Sequence, residues 1–227
     1  MRNLCHIDFH AHILPGADHG SATLEVSLWQ INSALQHGIS KIVATPHFYP
    51  DRVTVNEFTE TVAAAYEKLK DRLPAGIELH VGAEVLVCPG LENLKGLEKL
   101  CIRGTKILLI ELPFGYISAD IAETLKALQD VGYTVLLAHA DRYKAADIDS
   151  LVDIGCIVQL NAKSVISIFK RRKCKKWIKQ GVVYALGSDI HETDKKAYKA
   201  FINAAKVIGN SYSDIAKKSA ELLKSSH

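Results

Sequence analysis

The segment at residues 128–139 reads LQDVGYTVLLAH and contains the unit that decides the fold. A helix-like end is followed by Gly132, a residue that readily takes the left-handed conformation found just beyond helix ends. The apolar run after it predicts a strand that is buried on both faces. The same order of helix end, glycine and apolar run recurs at residues 35–45, 151–161 and 178–189. Helices that alternate with buried strands predict parallel βαβ units.

Three further apolar runs bring the number of candidate strands to seven. They read LCHIDF at residues 4–9, IELHVGAEV at 77–85 and KILLIEL at 106–112. Seven parallel units in one chain favour a closed or nearly closed α/β barrel, and the alternative is an open, doubly wound sheet.

Capping residues mark where several of the helices begin. Thr54 and Glu57 have the spacing of a capping box, in which each side chain binds the backbone of the other residue. Ser21 and Ser118 are candidates to cap two other helices.

The composition is that of a globular protein. With 227 residues, 48% apolar and 23% charged, the chain can form one large barrel or two small domains. The net charge of +3 is too small to indicate a nucleic-acid partner. No apolar run approaches the ~20 residues that span a bilayer. The amino-terminal segment does not resemble a signal peptide, so we expect a cytoplasmic protein.

The cysteines are odd in number and widely separated, which fits neither a disulfide framework nor a zinc ribbon. We expect them to be small buried hydrophobic residues. A cysteine-dependent phosphatase would place arginine six positions after its nucleophile, and none of these positions holds arginine. The five are Cys5, Cys88, Cys101, Cys156 and Cys174.

Residues of the metal-ligand type follow six of the seven candidate strands. The carboxyl ends of parallel strands meet at one edge of the barrel, where α/β proteins place their sites. We therefore expect these side chains to lie together. They are His10, His12, His47, Glu84, Glu111, His139, Asp189 and His191, with His19 on the loop after the first strand.

The spacing of these residues suits divalent cations. Residues two apart in an extended segment point the same way, so His10 and His12 can bind one ion together. Asp189 and His191 repeat this spacing, and a glutamate can bridge two ions through its two oxygens. One structural zinc ion uses four ligands, so the surplus predicts a multinuclear, catalytic site. The plainer alternative is a rim of polar side chains bonded to one another.

Other histidines and one acid are given less specific roles. We expect His6 to lie at the floor of the barrel and Asp8 to orient a ligating histidine. His37, His80 and His227 are interpreted as ordinary surface residues.

Arg142 follows His139 by three residues, where it can bind an anion such as phosphate through two N–H groups. The plainer alternative is a surface ion pair. The run KRRKCKK at residues 170–176, with Lys179 beyond it, places many cations on one predicted helix. We favour a solvated helix face, and attraction of an anionic substrate or partner is the alternative.

Taken together, the motifs resemble one family. In order they are DFHAHILPGADHG, ATPHFYP, GAEV, IELPF, LAHADRY, QLNAKSV and GSDIH, and they extend from about Ile7 past His191. The chain is similar to the bacterial capsule-type protein-tyrosine phosphatases of the polymerase and histidinol phosphatase (PHP) superfamily.

The resemblance implies a distorted (β/α)7 TIM-like barrel, the PHP fold, formed by residues 1–227 as a single domain. It implies three divalent ions, most commonly Mn with Fe, Zn or Mg as alternatives, and hydrolysis of phosphotyrosine esters by a metal-bound hydroxide. Arg142 would bind phosphate, and His47 and His191 would act in catalysis. The implied ligand sets are His10, His12, Glu84 and Asp189 for the first ion, Glu84, Glu111 and His139 for the second, and His19, His47 and His191 for the third.

The resemblance also implies a partner, a phosphotyrosine protein such as the tail of a bacterial tyrosine kinase that controls capsule or exopolysaccharide synthesis. One departure concerns Asp18 and His19, where the family usually has two acids, and it leaves open which of the two is a ligand. A small-molecule phosphatase, such as a histidinol phosphatase, and a non-catalytic binding module are the alternatives.

Aromatic residues follow several ligand-bearing strands and could pack against the phenyl ring of a phosphotyrosine. The segments between strands are short, so we expect an open site that accepts a protein substrate. The aromatic residues are Phe48, Tyr49, Phe114, Tyr116 and Tyr143.

Overall fold

A computed structural model describes residues 6–115 and 117–224 of the chain. The strands are β1 His6–Ala11, β2 Ile39–Ala44, β3 His47–Phe48, β4 Glu78–Val81, β5 Glu84–Leu86, β6 Ile107–Glu111, β7 Thr134–Leu137, β8 Ile157–Asn161 and β9 Val183–Gly187. The helices are α1 Leu24–Gln36, α2 Val55–Lys70, α3 Ala119–Asp130, α4 Ala145–Asp153, α5 Ala162–Ile166, α6 Arg171–Gln180, α7 Ala197–Ile208 and α8 Ser211–Leu222.

All strand pairs are parallel. The strands form two sheets, and the two sheets together make up the wall of the barrel. One sheet has the order β1-β2-β4 and the other has the order β3-β5-β6-β7-β8-β9. β3 continues β2 after a break at Pro46, which has no N–H to donate to a sheet. β5 likewise continues β4 after Gly82, whose N–H donates to Ala44 O at 2.9 Å. The nine strands thus correspond to the seven units expected from the sequence.

The barrel closes where β1 meets the end of β9. Asp189 N donates to His10 O at 2.9 Å, and His12 N donates to Ile190 O at 3.1 Å. The carboxylate of Asp8 completes this seam by accepting from Ser188 N at 2.7 Å and Ser188 Oγ at 2.6 Å. The expected α/β barrel of seven units is confirmed. It is distorted, because only two short 3₁₀ turns, Leu91–Asn93 and Leu97–Leu100, connect β5 to β6.

The glycines between helices and strands behave as the sequence predicts. Gly38, Gly132, Gly155 and Gly181 all have positive φ, between 75° and 104°, directly after a helix. This conformation ends the helix and directs the chain into the next strand.

Two of the three predicted helix caps differ from expectation. Thr54 and Glu57 form a complete capping box, as predicted. α1 is capped by Thr23, whose side chain accepts from Val26 N, while Ser21 Oγ donates to Gln30. Ser118 precedes α3 but its side chain makes no capping bond. The prediction was wrong at Ser21 because the helix begins two residues later than the serine pattern indicated.

The apolar core has two parts. A large cluster lies between the barrel wall and the surrounding helices, and a smaller one gathers residues from opposite strands. The smaller cluster can form only inside the barrel, and it fills the interior up to the level of the ligand-type residues. It includes Ile7, Phe9, Val43, Ile107, Leu109, Leu136 and Ala185. Within residues 6–115 and 117–224, no helix combines the length and apolarity needed to cross a membrane.

Candidate metal centre

The two histidines at the end of β1, His10 within the strand and His12 just after it, meet the buried carboxylate of Glu84. His10, His12 and Glu84 are all fully buried. Glu84 Oε2 lies 3.1 Å from His10 Nε2 and 3.2 Å from His12 Nε2, and the two nitrogens are 3.0 Å apart. Asp189 Oδ1 lies 3.8 Å from His10 Nε2 and 3.6 Å from His12 Nε2. These four side chains converge on a volume the size of one cation.

A second group forms on the other side of Glu84. His139 Nε2 lies 2.6 Å from Glu84 Oε1 and 3.6 Å from Glu111 Oε1. His47 Nδ1 lies 3.0 Å from Glu84 Oε2 and 3.9 Å from Glu111 Oε2. Because its two oxygens face different histidines, Glu84 has the geometry of a residue that can bridge two ions.

The third group consists mainly of imidazoles. Ligand atoms of His12, His47 and His191 lie within 4.8 Å of one another. The exposed ring of His19 stacks at 4.8 Å from that of His47 and 4.9 Å from that of His191. This is the open side of the cluster. The structure therefore brings together all nine of the residues that the sequence proposes as ligands.

Two observations indicate that cations fit this site. Glu84 Oε2 is buried and makes no hydrogen bond of good geometry, although three imidazole nitrogens lie 3.0–3.2 Å away. Native proteins rarely leave a buried carboxylate oxygen without a partner. The donors are imidazole nitrogens and carboxylate oxygens, the set that binds divalent transition metals.

The electrostatics of the cluster show how strongly it attracts positive charge. Burial lowers the pKa of His12, but the hydrogen bond with Asp18 and the nearby Glu84 carboxylate outweigh burial and raise it to about 10. Burial raises the pKa of Asp189, whereas His10 and Arg142 lower it to about 2. Without cations the carboxylates therefore hold protons on neighbouring imidazoles, and metal binding would release those protons.

Two polar side chains orient the first pair of histidines. His10 Nδ1 lies 3.2 Å from Gln159 Oε1, and His12 Nδ1 lies 2.6 Å from Asp18 Oδ2. An acceptor at Nδ1 keeps the proton there and leaves Nε2 free to bind a metal. Asp18 also accepts from Gly20 N at 2.8 Å and from the backbone N–H of His47 at 3.1 Å, so both of its oxygens already accept hydrogen bonds.

Asp8 differs from expectation. Its carboxylate contacts the backbone N–H of His10 at 3.4 Å and the two Ser188 donors, and it touches no imidazole. Asp8 therefore holds the backbone at the barrel seam, whereas Gln159 and Asp18 perform the orienting role predicted for it.

Sequence reasoning missed the contribution of β8, which carries no ligand-type residue. Besides its contact with His10, Gln159 Oε1 accepts from His139 N at 2.5 Å, and Asn161 Nδ2 donates to Asp189 Oδ2 at 2.8 Å. A signal was present, since QLN places two amides two residues apart at the end of an otherwise apolar strand. Amides at that spacing share one face of the strand.

The backbone around the site is unusual at two of the candidate ligands. His139 and Asp189 have positive φ, of 32° and 52°, a region that residues with a side chain seldom occupy. Gly187 permits close packing beneath them, because a Cβ there would lie 2.6 Å from the Cβ of His10 and 2.5 Å from Nε2 of Gln159. Strain of this kind is concentrated at functional sites.

Arg142 lies at the mouth of a cavity of about 380 Å³ that adjoins the cluster. Its side chain is 32% exposed, and Nη2 donates to Asp189 Oδ2. Asp141, Asn161, Lys163 and Lys170 also line this cavity. The arginine therefore stands between the ligand cluster and solvent, where a bound anion would meet it.

The aromatic residues proposed to contact a substrate ring do not all reach the site. Phe48 is fully buried against Phe58, so the expectation was wrong for this residue. Tyr143 is also buried; its hydroxyl donates to Leu112 O at 2.7 Å and its ring lies 6.0 Å from that of His139, so it packs against a candidate ligand. Tyr49 stacks on His47 with ring centroids 5.3 Å apart, and Phe114 is 80% exposed. Tyr116 lies outside the described residues.

The other described histidines, His6, His37 and His80, lie away from the cluster. His6 Nδ1 contacts Tyr212 OH at 2.7 Å at the foot of β1, in agreement with a place at the floor of the barrel. His80 contacts Glu78, and His37 contacts Ser33 O. His227 lies outside the described residues.

The four cysteines within the described residues take no part in the cluster. Cys88, Cys101, Cys156 and Cys174 are free thiols, and all but Cys88 are buried, as the sequence predicts. Burial raises the pKa of Cys101, Cys156 and Cys174 to about 12, so these thiols are poor nucleophiles near neutral pH. Cys5 lies outside the described residues.

Comparison with known proteins gives consistent results. The sequence profile of the family described as "Capsular polysaccharide synthesis, CpsB/CapC" matches residues 6–225. Tyrosine-protein phosphatase YwqE of Bacillus subtilis is 29% identical over 231 residues, which cover 96% of this chain and 91% of YwqE. Tyrosine-protein phosphatase CpsB of Streptococcus agalactiae serotype V is 27% identical over 208 residues, covering 83% of this chain and 84% of CpsB.

A solved structure has the same fold. It comes from crystallographic work on YwqE from Bacillus subtilis and CpsB from Streptococcus pneumoniae, described there as unique metal-dependent tyrosine phosphatases. It superposes with a TM-score of 0.77 at 24% identity, covering 96% of this chain and 93% of that one.

Proposed function

This chain belongs to the CpsB/CapC family of capsular polysaccharide synthesis, and we propose that it is a metal-dependent protein-tyrosine phosphatase. The relatives YwqE and CpsB carry the name of that activity. The observation that carries the proposal is the convergence of three imidazole nitrogens on Glu84 Oε2 at 3.0–3.2 Å beside a second carboxylate, Glu111. A complete set of ligands also argues against a non-catalytic binding module, because a decayed site would have lost some of them.

We assign the ligands to three divalent ions. His10, His12, Glu84 and Asp189 would hold the first, and Glu84, Glu111 and His139 would hold the second. His19, His47 and His191 would hold the third. His19 is preferred to Asp18 because the Asp18 carboxylate is already bonded to His12, Gly20 and His47. The mixture of nitrogen and oxygen donors suits Mn, with Fe, Zn and Mg as alternatives.

The ions would neutralise the charge of a phosphate monoester and lower the pKa of a bound water to about 7. The protein's own contribution is to fix the ligands. Gln159 and Asp18 hold the Nε2 atoms of His10 and His12 toward Glu84, so little reorganisation is needed during the reaction. His47 and His191, on the open side of the cluster, would face the ester oxygen that leaves.

Arg142 is the candidate phosphate-binding residue. A guanidinium has five N–H donors, and in this structure the described contact with Asp189 uses Nη2. Arg142 lines the cavity that adjoins the cluster, so its remaining donors can bind the equatorial oxygens of a phosphoryl group there while Asp189 keeps the side chain in place.

The open side of the cluster suits a tyrosine on a protein substrate. Tyr49 stacks on His47 there, so an aromatic side chain already lies where the ring of a phosphotyrosine would arrive. We propose a phosphotyrosine protein as the substrate, and the tail of a bacterial tyrosine kinase is the specific candidate. The described cysteines are free thiols, which fits a reducing compartment, so we propose that the protein acts in the cytoplasm. We also propose that residues 1–227 form a single domain.

The test combines metal analysis with a comparison of substrates. The purified chain should carry two to three transition-metal ions, and a chelator should abolish its phosphatase activity. With Mn²⁺ present, a phosphotyrosine peptide should be hydrolysed with higher kcat/KM than histidinol phosphate. A phosphoserine peptide should be a poor substrate, because an alkoxide leaves less readily than a phenolate of pKa about 10.

A matched pair of variants connects the activity to the cluster. Glu84→Gln should lose metal and activity, whereas Glu78→Gln, which changes an exposed carboxylate paired with Lys41, should lose neither. Full activity in a metal-free protein would contradict the mechanism. A preference for histidinol phosphate would contradict the protein substrate and leave the metal site standing.

A further inference from the structure

The basic run at residues 170–179 is the strongest concentration of charge in the molecule, and the proposed reaction does not use it. Seven of the 28 lysines and arginines lie in this short stretch, which contains no acid. Since the whole chain has a net charge of +3, the rest of the chain carries −4. The positive charge is therefore local to α6 and is not a general property of the surface.

The fold arranges these cations on one side of α6. Cys174 and Trp177 are buried against the protein, and five basic residues form the opposite, exposed face. Successive residues of an α-helix are about 100° apart around its axis, so these five side chains cover an arc of about 140°. We name this face the basic stripe, and it consists of Arg171, Arg172, Lys175, Lys176 and Lys179.

Most of the stripe has no partner within the described part of the chain. Lys176 contacts Asp149 at 2.5 Å. No ion pair is formed by Arg171, Arg172, Lys175 or Lys179 with any residue in 6–115 or 117–224. Cations held close together on a rigid helix repel one another, and a surface of opposite charge relieves that repulsion.

Two large apolar side chains stand at the beginning of the stripe. Ile168 is 86% exposed and Phe169 is 94% exposed. Arg171 N donates to Ser167 O at 2.9 Å, the same four-residue spacing as in the helix, so the turn continues the helical path. At about 100° per residue, Ile168 then falls within the arc of the stripe and Phe169 lies at its edge.

We propose that the basic stripe, with Ile168 and Phe169, docks this protein on an anionic lipid surface. Cations attract acidic headgroups, and neighbouring exposed Ile and Phe side chains can insert below them. A nucleic acid or an acidic protein would also match the charge, but the paired apolar side chains at the end of the stripe favour a lipid interface. Lys170, next to the stripe, lines the cavity that contains Arg142, so docking would bring the mouth of the site close to that surface.

The experiment measures binding of the whole chain to vesicles by sedimentation. Vesicles of phosphatidylcholine containing one-third phosphatidylglycerol should bind the protein at low salt, and pure phosphatidylcholine should not. Each cation near an anionic surface strengthens binding on the order of fivefold. The triple variant Arg171→Gln, Arg172→Gln, Lys175→Gln should therefore bind about 100-fold more weakly.

Matched controls separate the stripe from total charge and from loss of folding. The control is a second triple variant, which removes the same charge from α7 and α8 through Lys199→Gln, Lys206→Gln and Lys217→Gln. This control should bind the vesicles far more tightly than the stripe variant. Ile168→Ser, Phe169→Ser should weaken binding by at least about tenfold, whereas Val131→Ser, another exposed apolar position, should not. All variants should keep phosphatase activity on a soluble phosphotyrosine peptide, which verifies that the site is intact.

Several outcomes would overturn the proposal. The proposal is wrong if the wild-type chain does not bind anionic vesicles, or if it binds neutral vesicles as tightly as anionic ones. It is also wrong if the stripe variant and the α7–α8 control lose binding to the same extent. Binding to poly-glutamate or RNA without binding to vesicles would identify a different partner and also overturn it. Because the readout is vesicle binding, the docking proposal can fail while the phosphatase proposal stands.

Discussion

Replacing Gln159 with leucine tests whether β8 orients the metal ligands. Gln159 is fully buried, and its Oε1 lies 2.5 Å from His139 N and 3.2 Å from His10 Nδ1. Leucine has a similar size but no acceptor, so both groups would be left without a partner. Each unsatisfied buried donor costs about 1–3 kcal/mol. We expect the metal-free Gln159→Leu protein to lose about 2–6 kcal/mol of unfolding free energy, since two donors lose their acceptor.

The same change should weaken metal binding. Without an acceptor at Nδ1, the His10 proton is free to move to Nε2, the atom that faces Glu84, and a protonated nitrogen cannot bind a cation. Loss of a partner that orients a metal-binding histidine typically lowers metal affinity about 10–100-fold. The assay is competition for Mn²⁺ with a chelator of known affinity at fixed pH, combined with urea unfolding of the metal-free protein.

The control for this prediction is Gln129→Leu, a change on α3 at a glutamine that contacts Leu125 O and no candidate ligand. It should leave the Mn²⁺ affinity unchanged. Wild-type affinity in a folded Gln159→Leu protein would refute the reasoning. If Gln159→Leu does not fold, Asp18→Ala removes the acceptor at His12 Nδ1 and tests the same argument there, and a fall in Mn²⁺ affinity of similar size is expected.

Two further predictions concern individual side chains. Arg142→Ala should keep its metal content and lose about 10²–10³ in kcat/KM on phosphotyrosine peptide, whereas Arg103→Ala, beside Tyr66, should behave like wild type. Wild-type kinetics in a fully metallated Arg142→Ala protein would exclude a role in phosphate binding. His19→Ala should lose one ion by elemental analysis, and its metal-free form should keep the melting temperature of the metal-free wild type, because this ring is exposed. An unchanged metal count would instead indicate that Asp18 or another group binds the third ion.

Much of the architecture follows from local patterns. A glycine with positive φ follows four helices, and an apolar strand follows each glycine, as at Gly132 and Gly155. These signals are readable in sequence because a left-handed residue and a run of buried side chains are local requirements. The ligand-type residues could also be proposed, since every parallel strand delivers its carboxyl end to the same edge of the barrel.

The side chains that contact those residues come from strands that are far apart in the sequence. His10 meets Gln159, which lies 149 positions later in the chain, and the closing seam joins Asp8 to Ser188, 180 positions later. No pattern along the chain specifies which polar side chain on the far wall reaches a given imidazole. Asp8 was therefore given a role that belongs to Asp18 and Gln159.

The sequence by itself determined the set of parallel βα units and the residue types at their ends, because backbone conformation and burial act over a few neighbouring residues. Only the tertiary structure decided which way each side chain points. His139 and Asp189 reach the cluster through left-handed backbone at the ends of their strands, whereas Phe48, next to His47, turns into the core against Phe58. The direction of each side chain is decided by closure of the barrel and by packing, which exist only in the folded chain.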